Sequence, residues 1–139
     1  MTKRETALVA LLAALRGALE AAGCALERNA DRPDEIGAGG TAILFDGEQT
    51  EAEAMFSPLQ YEITHTAELF LAAAGEDGRD ALLELACAAV GADRTLGGAV
   101  MHAECGAPAT DLAEFDGAEA GRTLTLPVAL RYLAPSLAG

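Results

Sequence analysis

Two histidines and three cysteines are the side chains best suited to metal binding or nucleophilic chemistry. The segment His102-Ala103-Glu104-Cys105 has the composition of a metal-site fragment. Residues three apart on a strand point to opposite faces, however, so His102 and Cys105 cannot readily share one ion. The chain also lacks a Cys-x-x-Cys pair. We therefore predict no metal site and expect Cys105 to pack in the core or at its rim.

Nucleophilic catalysis would require His65 or His102 to approach a cysteine across the fold, with a third group to orient the imidazole. No local pattern indicates such an arrangement. Cys87 falls in the apolar part of a predicted helix, where it is interpreted as a small buried hydrophobe. His65 is predicted to face inward from a strand, which favours a hydrogen-bonded structural role, with a general base as the alternative.

A glycine-rich segment, Gly37-Ala38-Gly39-Gly40, precedes a predicted strand. Phosphate-binding loops follow a strand and open a helix, and this segment also lacks the Lys and Ser/Thr of a P-loop. We interpret it as a flexible entry to the sheet, and we interpret the carboxylates of the acidic segment at 106–121 as solvated. No catalytic or cofactor-binding residue is predicted, and no cofactor is expected.

Helical patterns occupy two segments that would position these groups. Thr2 and Glu5 have the spacing of a capping box, and Gly23 supplies a stop. Between them leucines recur at helical spacing: Leu8, Leu11, Leu12, Leu15 and Leu19. The second helix is predicted from an N-cap at Asp77 to Gly91. Its apolar stripe consists of Ala81, Leu82, Leu85, Ala86 and Ala89.

Strand patterns occupy most of the remaining chain. Residues 60–72 alternate most clearly, and their length favours a central position in an antiparallel sheet. An apolar run at 40–45 leads into Asp46-Gly47, a dipeptide typical of hairpin turns, so a return strand is expected at 53–56, interrupted by Ser57-Pro58.

The remaining segments complete the expected sheet. A short extended segment is a candidate at 24–28, a turn is expected at 95–98, and further strands are expected at 99–105 and 122–133. Pro127 predicts an edge or a bulge in the last strand. The result is one α+β domain, residues 1–139, with a mainly antiparallel sheet of about four to five strands packed against two amphipathic helices.

Composition narrows the classes of function. The 139 residues are 51% hydrophobic but only 4% aromatic, and the net charge is −13. Nucleic-acid binding requires a basic face, and the sequence shows no cluster of Lys or Arg that would form one. An anionic membrane surface is disfavoured for the same reason. Three cysteines, an odd number, argue against a secreted disulfide framework and favour a reducing compartment.

Two segments of the chain carry a family resemblance. The first is Phe56-Ser57-Pro58-Leu59-Gln60-Tyr61-Glu62-Ile63-Thr64-His65 followed by Ala67-Glu68, and the second is Arg94-Thr95-Leu96-Gly97-Gly98. In these segments the chain resembles small tail-completion proteins of the phage tail terminator group, of the kind found in prophages and gene transfer agents of alphaproteobacteria. The resemblance extends over nearly the whole order of helices and strands.

The resemblance implies a structural subunit rather than an enzyme. It implies a hexameric ring that caps the tail tube, stops its polymerisation and joins the finished tail to the head connector. The partners would be further copies of the chain, tail-tube proteins and head-connector proteins. The location would be the bacterial cytoplasm during assembly and then the tail of the particle. Two alternatives come from the residues: a small transferase or hydrolase using His65, and a ligand-binding α+β domain.

Overall fold

The computed structural model describes residues 1–31, 36, 38–113 and 121–139, with the backbone alone described at 111–113 and 121–122. Within these residues, two helices and six strands follow one another: α1 (Lys3–Ala21), β1 (Ala25–Arg28), β2 (Thr41–Met55), β3 (Gln60–Ala73), α2 (Glu76–Ala92), β4 (His102–Cys105), β5 (Ala109–Ala113) and β6 (Gly121–Ala134). None of the described helices has the length and apolar character needed to cross a membrane.

The strands form one six-stranded sheet in the order β1-β2-β3-β6-β4, and β5 also pairs with β6. Only β1 and β2 run parallel; the other pairs are antiparallel. The predicted α+β class is therefore confirmed, with one or two strands more than expected. One of the additional strands, β5, lies in the segment predicted as an acidic loop, of which residues 114–120 are outside the described residues.

Both helices pack on one face of the sheet. The face contributed by β3 includes the buried side chains of Ile63, Ala67 and Leu69, which alternate as predicted. The buried helix residues in contact with this layer are Leu8, Leu11, Leu15 and Leu19 of α1, and Leu82, Ala86 and Val90 of α2. Burying one such leucine contributes about 1.5–3 kcal/mol. The face turned away from the helices is called the open face below.

The start of α1 confirms half of the predicted capping box. The Glu5 backbone N–H donates to Thr2 Oγ1 at 3.0 Å, which satisfies one of the free donors of the first turn. The Glu5 carboxylate pairs with Arg28 instead of completing the box. At the other end, Gly23 has a φ of +83° and follows the last turn, as the sequence indicated.

The predicted hairpin turn at Asp46-Gly47 is wrong. Strand β2 continues through this dipeptide to Met55, and the register against β3 shifts between Phe45 and Glu48. Gly47 has a φ of +69°, and a Cβ at this position would lie 1.8 Å from the Thr66 carbonyl oxygen. A positive φ serves a bulge as well as a turn, and the sequence does not distinguish the two.

The chain reverses at residues 56–59 instead, around Ser57-Pro58. Met55 pairs with Gln60 across this turn, and the Ser57–Pro58 peptide bond is cis. Residues 53–55 of the predicted return strand are therefore the end of the outgoing strand β2, and Phe56 lies in the turn. A Pro-containing turn, rather than an interrupted strand, explains the signal at this position.

Of the two alternatives predicted at Pro127, an edge or a bulge, the edge is wrong. Strand β6 is internal, because β3 pairs along one side of it while β4 and β5 pair in succession along the other. The Pro127 carbonyl accepts from Gly106 N–H, and the N and C=O of one strand residue face the same neighbour. The missing N–H thus faces the link between β4 and β5, where no ladder bond is required.

The remaining differences concern element ends. Helix α2 begins at Glu76 with Gly75 as N-cap, so Asp77 lies in its first turn and is not the cap. Strand β4 begins at His102 rather than at residue 99, because residues 94–99 form a turn. The Asp93 carboxylate accepts from Thr95 N–H, Thr95 Oγ1 and Gly97 N–H at 3.1, 2.7 and 2.8 Å, which orders that turn and lowers the pKa of the carboxyl.

Candidate functional site

The β2–β3 turn exposes large apolar side chains. Phe56, Leu59 and Met55 are 79%, 53% and 39% exposed. These side chains belong to the first resemblance segment or border it. Apolar groups at a turn gain no stability for the monomer while they stay in water, which marks the turn as a candidate contact surface.

Two further exposed hydrophobic residues lie at the same end of the sheet. Met101, 50% exposed, directly precedes β4, and its N–H donates to Arg131 O near the end of β6. Leu137, 53% exposed, follows β6, whose last residue Ala134 pairs with Tyr61. We call this region the hairpin end; its exposed apolar side chains are Met55, Phe56, Leu59, Met101 and Leu137. They make up five of the seven exposed large hydrophobic residues among those described, the others being Met1 and Val9.

The outer part of β2 borders the hairpin end. Strand β1 pairs only with residues 41–44 of β2, and among the described residues no other strand pairs with the same side. Every residue at 47–55 is exposed. Residues 48–55, called the β2 edge below, therefore carry backbone donors and acceptors on a side that faces water.

Glutamates line the open face beside this edge. Directly paired residues share a face, so Glu48, Glu51 and Glu53 lie next to Thr66, Thr64 and Glu62 of β3. The three glutamates of the β2 edge form no ion pair with any described residue, whereas Arg131 pairs with Glu62 at 3.6 Å. A depression of about 500 Å³ is lined by Glu51, Ala52, Glu53, Glu62, Thr64 and Arg131. Its lining contains three carboxylates and one guanidinium, so the formal charge of this region is negative.

A charged cluster anchors the inner end of the β2 edge. Arg28 donates to both oxygens of Glu5, at 2.7 and 2.8 Å, and to both oxygens of Asp46, at 2.7 and 3.1 Å. The guanidinium holds the pKa of both carboxyls below their ordinary values, and the carboxylates raise the pKa of Arg28. The Asp46 N–H also donates to Asn29 Oδ1 at 3.0 Å. These contacts tie α1, β1 and the bulge in β2 together.

His65, on β3, contacts the bulge of β2. Its side chain is buried, as predicted, and Nε2 forms a short hydrogen bond to the Asp46 carbonyl. A carbonyl can only accept, so Nε2 carries the proton. Nδ1 is buried without a hydrogen-bond partner among the described residues. The histidine therefore holds a backbone position, which matches the predicted structural role.

Cys24 and Cys105 are poor nucleophiles in this fold. Cys24 is buried, and burial raises the pKa of its thiol to about 11. Burial, together with the neighbouring Cys87 thiol, raises the pKa of Cys105 to about 12. Cys87, interpreted from the sequence as a small buried hydrophobe, is partly buried and packs against the core. A thiol with a raised pKa holds little thiolate near neutral pH.

His102 and Cys105 lie on opposite faces, as the strand parity predicted. His102 pairs with Arg131, which is opposite Thr64 on the open face, whereas Cys105 pairs with Val128, which is opposite the buried Ala67. His102 Nε2 instead lies 3.4 Å from Glu104 on its own strand. Within residues 1–31, 36, 38–113 and 121–139, no group of three or more His, Cys, Asp or Glu side chains is placed to hold a metal ion.

The glycine-rich segment lies only partly within the described residues, because Gly37 is outside them. Gly40 enters β2 with a φ of +87°, and a Cβ there would lie 2.9 Å from Ala72 O. This close approach to β3 explains the glycine without a bound phosphate.

The sequence interpretation missed the hairpin end and the β2 edge as a surface. It placed the turn at Asp46-Gly47, which moved Glu48 to Met55 into a loop and a short strand. The useful signal was Phe56-Ser57-Pro58-Leu59, because Ser and Pro favour a turn and residues in a turn usually lie at the surface. A comparison of this chain with protein-family models and with curated proteins finds no match.

Proposed function

We propose that this chain is a structural subunit of a phage-type tail, similar to tail terminators, that assembles into a ring through its hairpin end. The ring would cap the tail tube and join the tail to the head connector. Its partners would be further copies of itself, tail-tube proteins and head-connector proteins. Assembly would take place in the bacterial cytoplasm, and the subunit would stay in the tail of the particle.

One observation carries this proposal: exposed large apolar side chains are concentrated at the hairpin end. Interfaces gain most of their energy from a few large apolar or aromatic anchors, and Phe56 is the most exposed aromatic side chain described. Neighbouring copies in a closed ring contact each other through different patches, so each copy buries this end against another surface of the next.

Charge supports the same proposal. The net charge of −13 and the glutamates of the open face disfavour adhesion of DNA. A tail component must let DNA pass without holding it. The expectation of no affinity-driven nucleic-acid binding is checked by titrating labelled duplex DNA at low salt.

The hydrogen bond of His65 bears on the enzyme alternative. Its protonated nitrogen donates to a backbone carbonyl, and the ring is 2% exposed. A general base needs a free lone pair within reach of a substrate proton. The structural role is therefore favoured over a transferase or hydrolase, and no contact within the described part of the chain favours a ligand-binding domain.

The test is the mass of the assembly that this chain forms in solution. A hexamer of the 14.2 kDa chain would have a mass of about 85 kDa. We expect light scattering after size-exclusion chromatography to show concentration-dependent growth toward that mass, with rings in negative-stain images. The double variant Phe56→Ser/Leu59→Ser should shift the population toward the monomer.

Val9→Ser is the matched control, since Val9 is 42% exposed on α1, outside the hairpin end. It should assemble like the unmodified chain. A chain that stays monomeric at all concentrations would contradict the proposal. Equal loss of assembly in the control and in the double variant would contradict the role of the hairpin end.

A further inference from the structure

The open side of the β2 edge is long for an edge strand. Its eight residues, 48–55, span about 26 Å at the usual rise of a strand. Strands β1, β4 and β5 contain four or five residues each, so their edges offer less backbone for pairing. The β2 edge is thus the longest template for strand addition among the described strands.

The β2 edge is also held in a fixed conformation. Thr50 Oγ1 lies 3.2 Å from Thr64 O and 3.1 Å from Thr66 Oγ1, at the second register shift between β2 and β3. The Arg28 cluster holds Asp46 at the inner end. An edge that is already ordered loses little conformational entropy when another strand pairs with it.

The negative charge of the β2 edge determines which kind of strand can pair with it favourably. A strand added to this edge would place alternate side chains beside Glu51 and Glu53, which form no ion pair with a described residue. A second β2 edge would bring the same glutamates against them, and like charges directly opposed in a sheet are destabilising. Lys or Arg at alternate positions would instead form favourable cross-strand pairs.

We infer that the β2 edge is a docking site for an extended segment of another protein that carries Lys or Arg at alternate positions. The segment pairs with the edge by main-chain hydrogen bonds, and its basic side chains lie beside the glutamates. The inference rests on the proposed function, since it names the kind of partner that an assembly subunit would take. Apart from Met55, which belongs to both, the residues of the β2 edge are not those of the hairpin end.

The experiment uses a synthetic peptide of alternating Lys and Val as the probe, with a peptide of alternating Glu and Val and a Lys/Val peptide interrupted by Pro as comparisons. Amide hydrogen exchange is followed along the whole chain. Strand addition predicts slower exchange at residues 48–55 with the uninterrupted basic peptide only. A diffuse electrostatic association would leave exchange in these residues unchanged, and that result would overturn the inference.

Charge reversal provides the second measurement. Glu51→Lys/Glu53→Lys should weaken binding of the basic peptide by about tenfold or more, since two favourable cross-strand pairs become unfavourable. Glu20→Lys/Glu84→Lys changes the net charge equally on the two helices and should weaken binding far less. If the first variant fails to fold, Glu51→Gln/Glu53→Gln takes its place. Equal effects of the edge and helix variants would overturn the inference.

The failures of the two proposals are distinguishable. Loss of assembly in Phe56→Ser/Leu59→Ser with peptide binding intact separates the two surfaces. Slower exchange at 48–55 that depends on protein concentration alone would identify a second copy as the occupant and overturn the inference. Peptide binding by a chain that never forms rings would contradict only the ring.

Discussion

Replacing Gly47 with alanine tests the bulge on which the whole β2 edge depends. The residue has a φ of +69°, and a Cβ would lie 1.8 Å from the Thr66 carbonyl oxygen and 2.9 Å from Ala67 Cα. Contacts below 3.0 Å are essentially never made by a Cβ, so the two strands would have to separate by about 1.2 Å. Such a shift strains the Asp46 contacts with His65 and Arg28.

The expected cost has two parts. An alanine in the left-handed region costs about 1–2 kcal/mol. Separation of the strands and distortion of the buried contact to His65 add about 2 kcal/mol more. We therefore expect Gly47→Ala to lower the free energy of unfolding by about 3–4 kcal/mol.

A matched glycine isolates the steric part. Gly97 has a φ of +72°, but nothing lies within 4 Å of the position of its Cβ. Gly97→Ala should therefore cost only the conformational part, about 1–2 kcal/mol. Both variants are compared by urea unfolding followed by circular dichroism at a fixed low protein concentration. Equal losses in the two variants would refute the close approach at Gly47 and with it the bulge.

Three further perturbations follow from the described contacts. Because Arg28 depresses the pKa values of Glu5 and Asp46, the stability gained from these pairs is present above their ordinary values of 4.5 and 3.8 and is lost as the pH falls through the depressed values. Arg28→Gln should therefore be less stable than the unmodified chain at pH 6, with a gap that narrows toward pH 3 in urea unfolding; a constant gap would contradict the pairing. Because burial raises the pKa of Cys24 to about 11, its thiol should react with a disulfide reagent at pH 8 far more slowly than in the chain unfolded by guanidinium, as monitored by mass spectrometry of the labelled peptide; equal rates would contradict its burial. Leu126→Ala, at a fully buried position of β6, should cost about 2–5 kcal/mol of unfolding free energy, and a loss below 1 kcal/mol would place it outside the core.

The sequence interpretation succeeded where a local pattern meets one geometric requirement. The leucine spacing of α1 and the alternation of β3 each require one face of the element to be buried. The leucine-bearing face of α1 and the helix-facing side of β3 are buried as predicted. His102 and Cys105 lie on opposite faces as predicted, because strand alternation does not depend on the partner strand. The inward orientation of His65 also followed from parity alone.

The predictions were wrong at positions where the pairing with a neighbouring strand determines the local conformation. Asp46-Gly47 satisfies a turn and a bulge equally, and only the pairing of residues 48–55 with β3 selects the bulge. In isolation Pro127 indicates an edge or a bulge, but the break between β4 and β5 allows an internal strand to contain this proline. A local pattern cannot contain the position of such a break.

By itself the sequence determined the α+β class, both helices, the long central strand and the acidic character, because each depends on side-chain periodicity or composition. Only the tertiary structure decided that Arg28, Asp46 and His65 meet at one bulge and that Phe56 and Leu137 lie at the same end of the sheet. These residues are separated along the chain, and their proximity depends on strand order and register. Register is set by the summed packing of the core, and no short segment encodes that sum.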